Sequence, residues 1–335
     1  MTLSALRLAA ALVFVPLAGV PSALSQAAFP DGAPSGGFSL SDGADHPLVG
    51  RVWSVARSAF VPPAEVETTV ARARFVLLGE IHDNPDHHAL QARLLAAATG
   101  EGARKPAVVL EMLPRDRQGD VDAYLVEGKG TAEGFGEALR WAESGWPDYA
   151  IYRPVIEVAV AQGLPVVAGD TPRGERRKIA AEGMAALGAD EVAALRLSEP
   201  LGEAADGVML DTLFDGHCGM MPREALTPLV AVQRLRDARL ADAMISAGDE
   251  GAVLIAGSGH VRKDLGVPRY LEWRAPDAEA VAVGFVEVRE GESEPSLYAG
   301  GTADLPPPYD YLWFTPRKDR GDPCEGLKER FGGKK

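Results

Sequence analysis

Cysteine is nearly absent: 335 residues hold two, Cys218 and Cys324. The sequence also lacks a G-x-S-x-G elbow, a Walker A loop, an H-E-x-x-H helix and a C-x-x-C pair. These absences argue against a serine hydrolase, a P-loop nucleotide binder and a zincin. Gly257-Ser258-Gly259 does not complete a nucleophile elbow. Basic charge is short as well: 34 Lys and Arg face 48 Asp and Glu, a formal net charge of −14. Nucleic acid and anionic membrane both demand basic surface, so neither is expected as a partner. There is no internal repeat and no heptad pattern. The longest apolar run, Leu8–Val20, is short for a membrane span.

That run instead reads as part of an export signal. Met1–Arg7 carries positive charge, and Ala23-Leu24-Ser25 supplies small residues near a cleavage point. Residues 1–25 are therefore expected to be a signal peptide, the alternative being an uncleaved anchor. No cysteine follows the apolar stretch, so a lipidated N-terminus is not expected, and the mature chain should be soluble in a periplasm. Residues 26–47, rich in Gly, Pro, Ser and Asp, read as a flexible N-terminal tail. One domain is expected over 48–316, followed by a C-terminal tail, 317–335. In an oxidising compartment the two cysteines favour a disulfide that ties this tail to the Gly216–Pro222 loop. Two free thiols are the alternative.

What the chain has in quantity is short apolar runs that end in polar groups. Phe75–Leu78 runs into Gly79-Glu80, Ala107–Leu110 into Glu111, Leu164–Val167 into Gly169-Asp170, and Ala252–Ala256 into Gly257-Ser258-Gly259-His260. Continuous rather than alternating apolar runs mark parallel strands covered on both faces. Ala278–Val288 is a last strand candidate. After the first run, Asn84 reads as a helix N-cap and Pro85 as the first helical residue. Tyr149–Ala159 reads as a helix with Pro154 in its first turn, and Pro222–Ala247 as a long amphipathic one. Thr171–Leu240 reads as an inserted helical layer without a strand. The fold expected is α/β, with a central, mainly parallel sheet flanked by helices.

In such a fold the strand carboxyl ends share one edge, where ligands bind. Glu80, His82, Glu111, Asp170 and His260 can converge there. Two imidazoles and two carboxylates suit a divalent metal (Glu80, His82, Glu111, His260), or acid–base chemistry by His82, Glu111 and His260. They also suit a structural network. His87 and His88 occupy a helix first turn that favours anions, and either can face the cleft or solvent. Tyr149 and Tyr152, beside Trp146 and Arg153, can offer a phenolate to ferric iron, or serve as core aromatics. His217, Cys218, Met220 and Met221 form a compact set of soft donors, or a tethered loop whose methionines pack on apolar surface.

Three stretches carry a resemblance. GEIHDNPDHH at 79–88, the strand ending in Glu111, and GSGHVRKDLGVPRYL at Gly257–Leu271 are similar to the ChaN family of haem-binding uptake proteins. That family belongs to a superfamily with the Tiki proteases and the erythromycin esterases. The resemblance runs from about Leu48 to Phe314. It implies a ChaN/erythromycin-esterase-like α/β fold and haem or iron acquisition at the cell envelope. It further implies haem at a dimer interface, with a tyrosine on the iron. On these residues it places Glu80, His82, Glu111 and His260 in the superfamily cleft, and His87 and His88 in the haem branch. Tyr149 and Tyr152 are the candidate iron ligands, and Arg153 and Arg262 the candidate propionate partners. An outer-membrane haem receptor is the implied partner system. The esterase and protease relatives imply the competing reading, a metal-dependent hydrolase.

Overall fold

The computed structural model describes residues 31–100, 103–302, 304–322 and 324–325. The proposed signal segment lies outside them. Eight strands form one sheet: β1 (Val52–Ser54), β2 (Ala59–Val61), β3 (Phe75–Glu80), β4 (Ala107–Pro114), β5 (Val166–Asp170), β6 (Ala252–Gly257), β7 (Ala280–Glu287) and β8 (Tyr311–Thr315). Their order across the sheet is β2-β1-β8-β7-β3-β6-β4-β5. From β8 to β5 every pairing is parallel, and only the short β1 is reversed, pairing antiparallel with both β8 and β2. The mainly parallel α/β architecture is thus as the apolar runs imply.

Ten α-helices flank the sheet among the described residues: α1 (Pro63–Arg72), α2 (Pro85–Ala98), α3 (Gln118–Leu125), α4 (Ala132–Ala138), α5 (Tyr149–Gln162), α6 (Arg173–Glu182), α7 (Ala189–Ala194), α8 (Glu203–Gly216), α9 (Arg223–Ser246) and α10 (Val267–Arg274). Both sheet faces are covered. Val76, Leu78, Val108, Leu110, Val253 and Ile255 pack on the side of α1, α2 and α5. The alternate residues Phe75, Leu77, Val109 and Leu254 pack on the side of α9 and α10. Period-2 side-chain alternation with two buried faces is what writes an unbroken apolar run. Burying one such side chain contributes about 1.5–3 kcal/mol.

Helix starts follow local chemistry. The Asn84 side chain accepts hydrogen bonds from the Asp86 and His87 amides, and Pro85 follows at the first position. The Asp148 side chain caps α5 through the Ala150 amide. Pro154 falls in the sixth position of α5, one turn later than expected, because the cap is Asp148.

Two further differences concern edges. Residues 31–47 are pinned although their composition reads as a tail. Asp86 accepts from the Ser39 amide and hydroxyl, both at 2.7 Å, and Trp313 donates to Gly32 O at 2.8 Å. Tail residues 316–320 are pinned too, and the expected Cys218–Cys324 disulfide is present. No described helix is long and apolar enough to cross a membrane.

Candidate functional site

Parallel register brings four strand ends into line. Glu80 of β3 pairs with Gly257 of β6, Glu111 follows the β4 residue that pairs with Ile255, and Asp170 ends β5. His260 follows β6 by a short glycine turn. The edge opens into a cleft of about 400 Å³. Glu80, His82, Glu111 and His260 line it, with Arg236 and Asp237 from α9 and Met209 and Leu213 from α8.

One half of the site centres on Glu80. Its carboxylate is fully buried, 2.9 Å from His82 Nδ1 and 3.0 Å from His88 Nδ1. The Tyr152 hydroxyl reaches it at 3.3 Å and donates to His82 O at 3.1 Å. Burial pushes the Glu80 carboxyl up, but the His88 charge and the His82 hydrogen bond bring it down to about 2. His88 Nε2 donates to His82 O at 3.0 Å, while Nδ1 meets Gln91 Oε1 at 3.0 Å. Gln91 Nε2 donates to Leu78 O, so the amide oxygen must face the imidazole. Both His88 nitrogens therefore meet acceptors, as an imidazolium requires. Burial opposes that charge, but Glu80 raises the His88 pKa. His82 follows the same logic: burial lowers it, and Glu80 and Glu111 raise it above its ordinary value. Its ring packs edge-on against Trp146, centroids 4.7 Å apart.

The other half centres on Glu111. Oε1 accepts from Arg236 at 2.6 Å and lies 3.3 Å from His260 Nε2, while Oε2 accepts from the Gly257 amide at 2.7 Å. Asp237 accepts from His260 Nδ1 at 2.6 Å. Arg236 forks onto Asp170 with two contacts of 2.9 Å. Burial pushes Glu111 up, and His260 and Arg236 hold it well below the carboxylate range. Burial lowers His260, but Glu111 and Asp237 raise it to about 9.

The four residues expected to hold a divalent metal are cross-paired instead, which corrects that expectation. His260 has carboxylates at both nitrogens, His82 has Glu80 at Nδ1, and Glu111 is shared by Arg236, His260 and Gly257. His260, raised to about 9, is protonated near neutral pH and has no lone pair to give a metal. Among the described residues no group of His, Cys, Asp or Glu is arranged to hold an ion. The same charging means that His260 is not a free base near neutral pH.

The remaining sequence candidates divide. Arg262 lines the cleft and forks onto Asp264 at 2.9 and 2.5 Å. Arg153 lies exposed on α5, paired with Glu157 at 3.1 Å. His87 turns into the core, accepting from the Ile81 amide at Nδ1 and meeting Thr315 Oγ1 at Nε2, each at 2.9 Å. Burial lowers it to about 3, so it is neutral. Tyr149 is half-buried, donates to Ala132 O and packs on Phe135 and Trp141. Tyr152 lies over His88, ring centroids 4.0 Å apart. Burial raises both phenols, Tyr152 further because Glu80 is beside it.

Sequence reasoning missed Arg236 and Asp237. The signal available was an Arg-Asp pair flanked by Leu235, Ala238 and Leu240 in an otherwise amphipathic helix. Met209, Thr212 and Leu213 of α8 gave no signal.

A doubly covered, mainly parallel sheet with an ionised cleft at its carboxyl edge defines an α/β ligand-binding fold. Residues 66–271 match the family described as haem-binding uptake, Tiki superfamily, ChaN, and the chain belongs to that family. The fold is shared with ChaN of Campylobacter jejuni, solved with cofacially bound haem. Identity is 20%, the TM-score is 0.61, and 78% of this chain and 95% of that one are covered. A mutant of the erythromycin esterase EreC in its open conformation matches at 17% identity and TM-score 0.36, covering 81% and 83%. The type III effector HopBA1 matches at 12% and 0.40, covering 76% and 94%. No curated protein matches the chain.

Proposed function

We propose that the chain binds haem and takes part in haem or iron uptake at the cell envelope. It works there as an exported, soluble periplasmic protein after loss of residues 1–25. The observation that carries this is membership of the haem-binding uptake family over residues 66–271.

Haem presents an apolar macrocycle, two carboxylates and an iron that takes a nitrogen, oxygen or sulfur donor. The cleft has matching chemistry. Met209, Leu213 and Leu265 give an apolar wall. Arg262 commits Nε and Nη2 to Asp264, so its Nη1 can meet a propionate. His82 Nε2 faces Glu111 across 3.9 Å, beyond hydrogen-bond reach, while Nδ1 is anchored on Glu80. An imidazole held by a carboxylate at one nitrogen is the usual metal-ligand arrangement. When bound, haem supplies the iron that is carried. Glu80 orients His82, and α8 keeps water from the apolar wall.

The family resemblance instead favours Tyr149 or Tyr152 as iron ligand. Ligation by either phenol requires that it leave its present hydrogen bond. A homodimer and an outer-membrane haem receptor complete the proposal as partners.

An absorbance titration with ferric haem tests the reading, on wild type and on His82→Ala, Tyr149→Phe and Tyr152→Phe. A saturating Soret shift in wild type, altered in one variant, supports haem binding and names the ligand. No shift in wild type overturns the reading. Sedimentation with and without haem reads the dimer.

A further inference from the structure

Helix α8 closes one side of the cleft with Met209, Thr212 and Leu213, yet it is held weakly by packing. Only Ala205 and Met209 of its residues are buried. Its apolar contacts form a small satellite cluster with Leu201 and Leu265, separate from the two main cores. By contrast α2 buries residues from Asp86 to Ala98 along most of its length. A helix with so little buried surface opens at low free energy unless something else holds it.

Besides α9, whose Arg223 pairs with Asp211 and lies over the Phe214 ring, the C-terminal tail ties it down. Arg320 forks onto Asp83, with Nε contacts of 2.8 and 2.9 Å, and onto Glu287 at 2.7 and 2.8 Å. Asp83 is the residue after His82, which lines the cleft. Four residues further on, Cys324 is bonded to Cys218, in the turn that joins α8 to α9, with Cα atoms 5.7 Å apart. Four residues span at most about 14 Å when fully extended. With the 5.7 Å of the disulfide added, the far end of α8 is kept within about 20 Å of the Arg320 backbone. Cys218 is a non-glycine residue at φ 56°, a conformation that single residues adopt at some cost.

We propose that residues 316–322 with Cys324 form a redox-released strap: the Cys218–Cys324 bond and the Arg320–Asp83 clamp together hold α8 shut over the cleft. An external dithiol reduces the bond by thiol–disulfide exchange. Its first thiolate attacks one sulfur to form a mixed disulfide and release one cysteine thiol. Its second thiol displaces the other cysteine. The dithiol leaves as a disulfide and the chain gains two thiols. Both cysteines are only partly buried, so a small dithiol can reach them. Release lets α8 swing away and widens the cleft for a broad, flat ligand.

The test is hydrogen–deuterium exchange on the full chain, comparing oxidised protein, dithiothreitol-reduced protein, Cys324→Ser and Arg320→Ala. The α8 amides are expected to exchange at least tenfold faster relative to β6 in the reduced and Cys324→Ser forms. A smaller relative gain is expected in Arg320→Ala, whose disulfide is intact. Unchanged α8 exchange overturns the strap. So does an equal acceleration of α8 and β6, which marks loss of global stability alone. No readout uses haem, so the strap and the haem reading fail separately.

Discussion

Glu111 Oε2 accepts the Gly257 amide hydrogen at 2.7 Å, joining the end of β4 to the end of β6. That bond turns the other carboxylate oxygen toward Arg236 and His260. Glu111 is thus the point where a backbone donor, a guanidinium and an imidazolium are neutralised together. Glu111→Ala leaves two buried cations and one amide without their acceptor. Removing one partner of such a buried pair costs roughly 3–5 kcal/mol. Glu111→Gln keeps an acceptor for Gly257 and is expected to cost less. Urea denaturation of both variants checks this. A loss below about 1 kcal/mol for Glu111→Ala contradicts the neutralising role.

The His260 charge gives stability a pH dependence. Its pKa is about 9 in the fold against 6.5 ordinarily. A raised histidine stabilises fully below its unfolded value, and that contribution is lost as pH rises through the folded value. Wild type should therefore lose on the order of 2–3 kcal/mol between about pH 6.5 and 9 through this group. His260→Gln should flatten that part of the profile. Denaturant midpoints at intervals across this range measure it. Equal slopes in the two proteins contradict the assignment.

Tyr152→Phe separates structural from ligand roles at one position. The hydroxyl donates to His82 O at 3.1 Å and reaches Glu80 at 3.3 Å. Losing it should cost about 1 kcal/mol, read by denaturation without haem. A neutral effect shows that the hydroxyl does not support the His82 turn.

The strand ends were legible because two-faced burial leaves a continuous apolar run, and the first polar residue after it marks the edge. Glu80, Glu111, Asp170 and His260 all followed from that. The parallel order did not follow, since an apolar run carries no pairing information. The three-residue strands β1 and β2 are too short to show a period. The different surroundings of His87 and His88 were hidden because adjacent helix positions differ by about 100°. Which one faces Glu80 depends on the angle at which α2 leaves β3. Arg236 and Asp237 were hidden by context: they lie within a stretch that reads from the sequence only as a long amphipathic helix. In the fold Arg236 and Asp237 meet the strand edge, and Arg239 pairs with Glu175 and Glu191.

Two glycines of one turn give a paired test of His82. A Cβ on Gly257 would sit 2.7 Å from His82 Nε2 and 2.9 Å from its Cε1. A Cβ on Gly259 meets nothing within 4 Å. His82 is 34% exposed at its side chain, so in Gly257→Ala the ring has room to swing outward rather than break the fold. That movement separates it from Glu80 and Glu111, which hold its pKa up. The His82 titration, followed by NMR, should therefore move down in Gly257→Ala and stay in place in Gly259→Ala. Overpacking costs about 1–3 kcal/mol, so folding is retained for the comparison. If haem uses His82, its affinity should fall in the first variant alone. An unshifted His82 titration in Gly257→Ala shows that Glu80 does not fix the ring, and removes the basis for His82 as a preset ligand.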